Sequence, residues 1–266
     1  MESPVVRQEW RSLPLSNRQE YIDSVLCLME KDSQVQPGSR RYVDFAYAHT
    51  REGAIVHYAA GFLPWHRYFI HVFETALRSE CGYRGYWDWT LDASDLASSP
   101  IWDGTSGFGG DGESDDEGGI FGGRCVTDGP FANSTRYWRS KSNGEGFDIL
   151  EFPHCLSRGF ANGDKKESLQ ARITLDAIET VLNQPTYLDF FDDLEVRTHN
   201  AIPQFIRGDF YGMTAPNDPV FFLHHAQVDR LWWIWQQKDP MNRMMEYLGP
   251  AENTRLHPDG ATATPP

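Results

Sequence analysis

The chain is predicted to be mainly α-helical, built on one core with long irregular loops. Three features predict this. Apolar residues recur at helical spacing in five stretches, and segments rich in Gly, Pro, Asp and Asn separate them. Hydrophobic residues make up 40% of the chain and aromatics 14%, enough to build a sizeable core without staples. The 266 residues show no internal repeat and no linker between two cores, so 1–266 reads as a single domain.

Ser16 is placed to cap a first helix, with Gln19 closing a capping box. Ile22, Val25, Leu26 and Met29 form its inward stripe. A second helical stretch runs from about Arg40 into His49. The third begins near Pro64, a good first-turn residue, and carries His66, Ile70, Phe73 and Leu77 along one face. Residues 103–123 have no apolar period and crowd Asp111, Glu113, Asp115, Asp116 and Glu117 among glycines; they read as an acidic surface loop inserted in the domain. Residues 124–163 hold Gly, Pro and Asn punctuation and read as irregular. A fourth helix is expected from about Glu167 to Leu182, with Leu169, Ile173, Ile178 and Val181 inward. A fifth starts after Asn217-Asp218, with Pro219 in its first turn, and runs through Trp235. The tail 251–266 is polar and Pro-rich and reads as frayed.

The formal net charge is -14. Such a chain repels phosphate backbones and anionic bilayers, which argues against nucleic acid or membrane as a partner. No apolar run approaches the roughly 20 residues of a membrane-spanning helix. The N-terminus lacks a secretory pattern, so with Met1 as the natural start the expected location is cytoplasmic. Of the four cysteines, none forms a C-x-x-C pair, so a thiolate zinc knuckle is not expected. The even count permits disulfides, Cys27–Cys81 and Cys125–Cys155 among the pairings; a reducing compartment would instead leave four buried thiols.

His49, His57 and His66 lie eight and nine residues apart. A helix end, a loop and the next helix start can bring three imidazoles to one point, and imidazole is the usual ligand for copper and zinc. His71, five residues after His66, faces elsewhere. The stretch from His57 through Gly61-Phe62-Leu63-Pro64-Trp65-His66-Arg67-Tyr68-Phe69, with Glu74 beyond, resembles the copper-A signature of the tyrosinase/hemocyanin superfamily; the Tyr86-Trp87-Asp88-Trp89 segment also resembles the family. Asp218-Pro219-Val220-Phe221-Phe222-Leu223-His224-His225, continuing to Asp229-Arg230, resembles the copper-B signature.

The resemblance implies a four-helix-bundle core, metal ligation by His49, His57 and His66, and an aromatic small-molecule substrate. It makes His225 the ligand and His224 a structural neighbour. It also implies that Arg67 pairs with Glu74, and that Asp229 orients a ligand or holds Arg230. Ile55 stands where many members carry a cysteine joined to the second histidine. A second departure is larger. The family pattern H-x-x-x-H begins at His199 but ends at Pro203, which has no donor atom. His154 and Gln204 are weak stand-ins.

Three histidines with an open position also describe catalytic zinc, a Lewis acid without redox chemistry. The chain is similar to the fungal cyclopenase branch, in which a mononuclear zinc site replaces the dicopper centre. That implies a zinc-dependent lyase of alkaloid biosynthesis, rearranging cyclopenin-type benzodiazepinediones to 3-hydroxy-4-arylquinolin-2-ones. His199, His225 and Asn200 would then serve as catalytic proton carriers and hydrogen-bonding groups, and Trp65, Phe221 and Phe222 as candidate walls. The alternative is a copper-dependent polyphenol oxidase, with Gly212 leaving room above the metal. A hemocyanin-like oxygen carrier fits less well with Pro203 in the second cluster.

Overall fold

The computed structural model describes residues 6–81, 85–114 and 119–264. Helix α1 spans Leu15–Glu30 and follows Pro14, whose fixed backbone starts it two residues earlier than expected. The capping box therefore does not form: Ser16 bonds Asn17 and Gln19 bonds Asp23. Tyr21, Ile22, Val25 and Leu28 are buried, while Leu26 and Met29 are only partly so. Helix α2 (Val43–Val56) continues past His49, and His57 caps its C-terminal end. Helix α3 (Phe62–Ala76) opens two residues before Pro64 and buries His66, Ile70 and Phe73 on one face; Leu77, buried, begins a widened turn that ends at Cys81.

The stretch expected to be irregular carries strand pairing. Strands β1 (Gly112–Ser114) and β2 (Arg124–Val126) pair antiparallel; β3 (Thr135–Ser142) and β4 (Phe147–Cys155) form a hairpin; β5 (Ser157–Arg158) returns to β2. Asn143 builds the hairpin turn by accepting from the amides of Glu145 and Gly146. The hairpin is mostly exposed, so its residues lack the apolar alternation that marks a half-buried strand.

Part of the expected acidic surface loop is also internal. Phe108 is fully buried and stacks on Phe131. Arg158, itself inaccessible, donates to the carbonyls of Phe108, Gly109 and Gly110 at 3.1, 2.6 and 3.0 Å. Its other donors grip the Asp218 carboxylate at 2.7 and 3.0 Å. Asp115, Asp116 and Glu117 lie outside the described residues.

The expected fourth helix is two, α4 (Gly163–Gln170) and α5 (Leu175–Leu182), because Thr174 accepts from the Ala177 amide and starts a new helix. Leu169, Ile173, Ile178 and Val181 all face inward. A further helical run was not expected: α6 (Tyr187–Asp193), a π turn over Leu194–His199, then α7 (Ala201–Ile206). Pro203 sits in the first turn of α7, where a missing N–H costs no helical bond. Helix α8 (Val220–Lys238) follows Pro219.

Helices α2, α3 and α8 and the Tyr187–Ile206 run enclose the core. Phe73 and Phe222 stack with centroids 3.5 Å apart, and Phe45 meets both edge-on. Behind this layer the expected Arg67–Glu74 pair is absent. Arg7 bonds both Glu74 and Asp229, and Arg67 bonds Asp229 while lying over the Trp232 ring at 3.6 Å. Asp229 thus ties α3 to α8 and does not hold Arg230. Both disulfides form, Cys27–Cys81 and Cys125–Cys155. Among the described residues the tail is not frayed. Strand β6 (Gly249–Pro250) pairs with β7 (Thr262–Ala263), and the buried Asn253 bonds the Ala54 carbonyl. Among the described residues no helix is long and apolar enough to cross a membrane.

Arg158 connects the Gly-rich loop to Asp218, whose Oδ1 also accepts from the Val220 amide at the start of α8. Removing it leaves a buried carboxylate without a counter-charge. Arg158→Ala is expected to cost about 3–5 kcal/mol in urea unfolding. A cost under about 1 kcal/mol would show that the pair is not what holds this end of α8.

Candidate metal centre

The backbone delivers the histidines from four places. His49 comes from the middle of α2, His57 from its C-terminal cap, and His66 from the second turn of α3. His199 ends the π turn, and His224 and His225 lie in the second turn of α8. All six are buried. His49, His57 and His66 place one ring nitrogen each within 4.8 Å of one another; so do His199, His224 and His225. The clusters abut, with the rings of His66 and His225 stacked at 4.3 Å.

The tautomers follow from the partners. His49 Nδ1 lies 2.6 Å from the Met213 carbonyl, His66 Nδ1 2.7 Å from the Phe62 carbonyl, and His57 Nδ1 3.3 Å from the Gly53 carbonyl. A carbonyl has no proton to give, so each Nδ1 is the donor and each Nε2 carries a lone pair. Yet His66 Nε2 faces His49 Nε2 at 3.3 Å, and His199 Nε2 faces His225 Nε2 at 3.3 Å. His199 Nδ1 is occupied by Asn200 Oδ1 at 3.1 Å.

Protonation does not relieve the conflict. Burial holds His49, His66, His224 and His225 well below the ordinary imidazole range, with neighbouring histidines adding to the shift. Burial also pushes His57 down to about 4 and His199 down to about 3. Both nitrogens of His224 and Nδ1 of His225 are buried with no hydrogen-bond partner. Neutral rings with converging lone pairs and orphaned nitrogens fit a cation held in each cluster.

Of His199 and His225, expected as proton carriers, His199 turns a lone pair inward and His225 faces it with its Nε2, its Nδ1 unpartnered. His224, expected as a structural neighbour, presents unpartnered nitrogens beside them. His154 is remote: its Nε2 donates to the buried Asp209 at 2.8 Å and its Nδ1 to the Phe152 carbonyl. Burial opposes its charge, but these acceptors outweigh burial and raise its pKa. His71 is exposed on the far side of α3.

The centre opens into a cavity of about 230 Å³ lined by His49, His57, His199 and His225 together with Phe221, Met213, Gly212 and Asn200. Of the expected walls, Phe221 lines it; Trp65 stacks on Phe69, and Phe222 belongs to the core. A Cβ on Gly212 would fall 2.5 Å from the Phe121 ring, so close packing demands glycine there. Pro203 and Gln204 line the cavity without offering an imidazole.

Tyr58 and Arg255 went unnoticed in the sequence. Tyr58 has φ +52°, which costs a side-chain-bearing residue about 1–2 kcal/mol. The Glu195 carboxylate offsets this by accepting the Tyr58 amide at 2.8 and 2.9 Å. The turn sends the phenol back to the cavity, where its hydroxyl accepts from Asn200 Nδ2 at 3.2 Å. Arg255 lies 3.7 Å over that ring. The one sequence signal was position: Tyr58 directly follows a ligand candidate.

A family model for the common central domain of tyrosinase matches residues 39–238. The tyrosinase-like protein phomQ1 of Diaporthe leptostromiformis is 53% identical over 262 residues, covering 96% of this chain and 67% of that one. Tyrosinase ustQ of Aspergillus flavus is 43% identical over 252 residues, covering 93% and 68%. A polyphenol oxidase from Thermothelomyces thermophila superposes with a TM-score of 0.75 at 31% identity, covering 91% of this chain and 74% of that one. A functional unit of octopus hemocyanin shares the fold, with a TM-score of 0.55 at 22% identity over 88% of this chain and 53% of that one.

If the clusters are metal sites, a bound ion removes the lone-pair conflict in the folded state alone. Added Cu(II) or Zn(II) at about 1,000 times Kd is expected to stabilise by about 4 kcal/mol, or raise Tm by about 10 °C. The shift should shrink in His66→Ala. An unchanged Tm with both metals would contradict the assignment.

Proposed function

We propose, proceeding from the fact that the chain belongs to the tyrosinase family, that it is a copper-dependent oxidase of a phenolic or o-diphenolic ring. The observation that carries this reading is the convergence of buried, neutral imidazoles in two abutting clusters around one cavity. His49, His57 and His66 would hold one copper ion. His199 and His225 would hold the second, with His224 the nearest further imidazole now that Pro203 occupies the place of a ligand. Copper supplies the electron-transfer and dioxygen chemistry when bound.

The protein's own groups do the rest. The carbonyls of Met213, Phe62 and Gly53 fix the rings so that Nε2 faces inward. Asn200 fixes the His199 ring and donates to Tyr58, which leaves the Tyr58 O–H free to donate to an oxygen in the cavity. Phe221 and Met213 present apolar and polarisable surface to an aromatic ring. The two disulfides favour folding in an oxidising compartment over the cytoplasmic placement expected from the N-terminus.

Pro203 favours a second reading. With the second cluster short of a histidine at that place, zinc on His49, His57 and His66 alone would serve a cyclopenase-like lyase, polarising a substrate oxygen.

Oxygen uptake with 4-methylcatechol separates the two. Copper-loaded protein is expected to consume oxygen, zinc-loaded protein none, and His225→Ala to reduce the rate at least 100-fold. Purification with a single zinc ion, and no uptake after copper loading, would refute the oxidase and leave the lyase.

A further inference from the structure

The metal cavity has a neighbour. A second cavity of about 370 Å³ is lined by Phe121, Ala161, Asn162, Lys165, Gln204, Arg207 and Tyr211. Gln204 and Tyr211 line both, so their side chains are the shared boundary. Tyr211 is more than half exposed.

Charge distinguishes this pair of cavities from the rest of the molecule. The chain carries 38 acidic and 24 basic residues, yet neither cavity lining contains an Asp or Glu. Both contain cations: Arg255 beside the metal site, and Lys165 with Arg207 beyond it. None of the three has a carboxylate within ion-pair distance among the described residues. Arg7, Arg11, Arg67 and Arg158, by contrast, are each paired.

The cations are also held in place. The Arg255 guanidinium carbon lies 3.7 Å from the Tyr58 ring centroid. Lys165 Nζ donates to Gln204 Oε1 at 3.2 Å. Arg207 sits at φ +61°, a strained conformation that ends α7, and a Cβ on Gly122 would fall 2.5 Å from its Nη2. The backbone thus bends, and Gly122 gives way, to put a guanidinium where it has no internal partner. The same turn caps α7, the Arg207 amide donating to the Pro203 carbonyl at 2.9 Å, and leaves the guanidinium at the cavity lining.

We propose that the substrate is an aromatic ring bearing an anionic tail. The ring enters the metal cavity, and the tail crosses Gln204 and Tyr211 to end between Lys165 and Arg207, with Arg255 biasing the entrance toward anions. Size agrees with this division. An apolar cavity of about 150 Å³ binds benzene, so the metal cavity at about 230 Å³ takes one substituted ring and directs a longer group outward. The proposal rests on the aromatic-substrate reading of the centre but needs no turnover to be tested.

Calorimetry with 5-phenylpentanoate and its neutral amide, on the metal-loaded protein, provides the test. The acid is expected to bind at least 10-fold tighter than the amide, with a preference that fades as salt rises. Lys165→Met and Arg207→Met should each weaken the acid several-fold and leave the amide unchanged. Amide binding also reports that a variant is folded, and Lys165, on the surface of α4, covers the case in which Arg207→Met does not fold. Equal affinities, a preference undiminished in Lys165→Met, or no measurable binding of the acid would each overturn the proposal. Oxygen uptake with neutral 4-methylcatechol is read separately, so a failed oxidase and a failed anion site are told apart.

Discussion

Two pairs of imidazole nitrogens face one another at 3.3 Å inside a core that keeps the rings neutral, and the rest of the structure serves to hold them there. Without a cation, the His49–His66 pair is a contact between lone pairs in a poorly polarisable interior, while the His199–His225 pair leaves the Nδ1 of His225 without a partner. Holding it requires rings that cannot turn. Backbone carbonyls fix the first cluster, and Asn200 fixes His199. Aromatic side chains close the remaining directions: Phe62 packs on His66 and His199, and Phe221 packs on His49 and His225.

Such rigidity has to be anchored further out. Asp218 begins α8 and is locked by the buried Arg158, which also gathers the Gly-rich loop. The chain Glu74–Arg7–Asp229–Arg67 clamps α3 to α8, the two helices that carry His66 and His225. Buried ionic networks of this kind contribute little net stability but penalise alternative packings. That suits a site whose ligands come from helices far apart in sequence.

Much of the centre was legible in the amino-acid order because ligation is a matter of residue type and spacing. His49, His57, His66 and His225 stand in motifs, and Pro203 announces a missing donor. What stayed hidden depends on tertiary contact. The π turn that aims His199 has no local composition of its own. The hairpin over residues 135–155 is mostly exposed and shows no alternation. Arg158 looked like one more polar residue among irregular sequence, yet it organises a loop that seemed to belong to the surface. The tail reads as frayed by composition, but Arg255 on Tyr58 and Asn253 against Ala54 fold it over the cavity entrance. His224 was set aside because a motif named its neighbour; only the unpartnered nitrogens bring it back.

The central claim is that both clusters hold copper, close enough to act as a pair. Electron paramagnetic resonance on copper-loaded protein, with total copper measured on the same sample, tests it most directly. The account predicts two coppers per chain and little paramagnetic signal, as expected of a magnetically coupled Cu(II) pair. One copper per chain, with a signal that accounts for all of it, would contradict the paired site and leave His49, His57 and His66 as a single-metal centre.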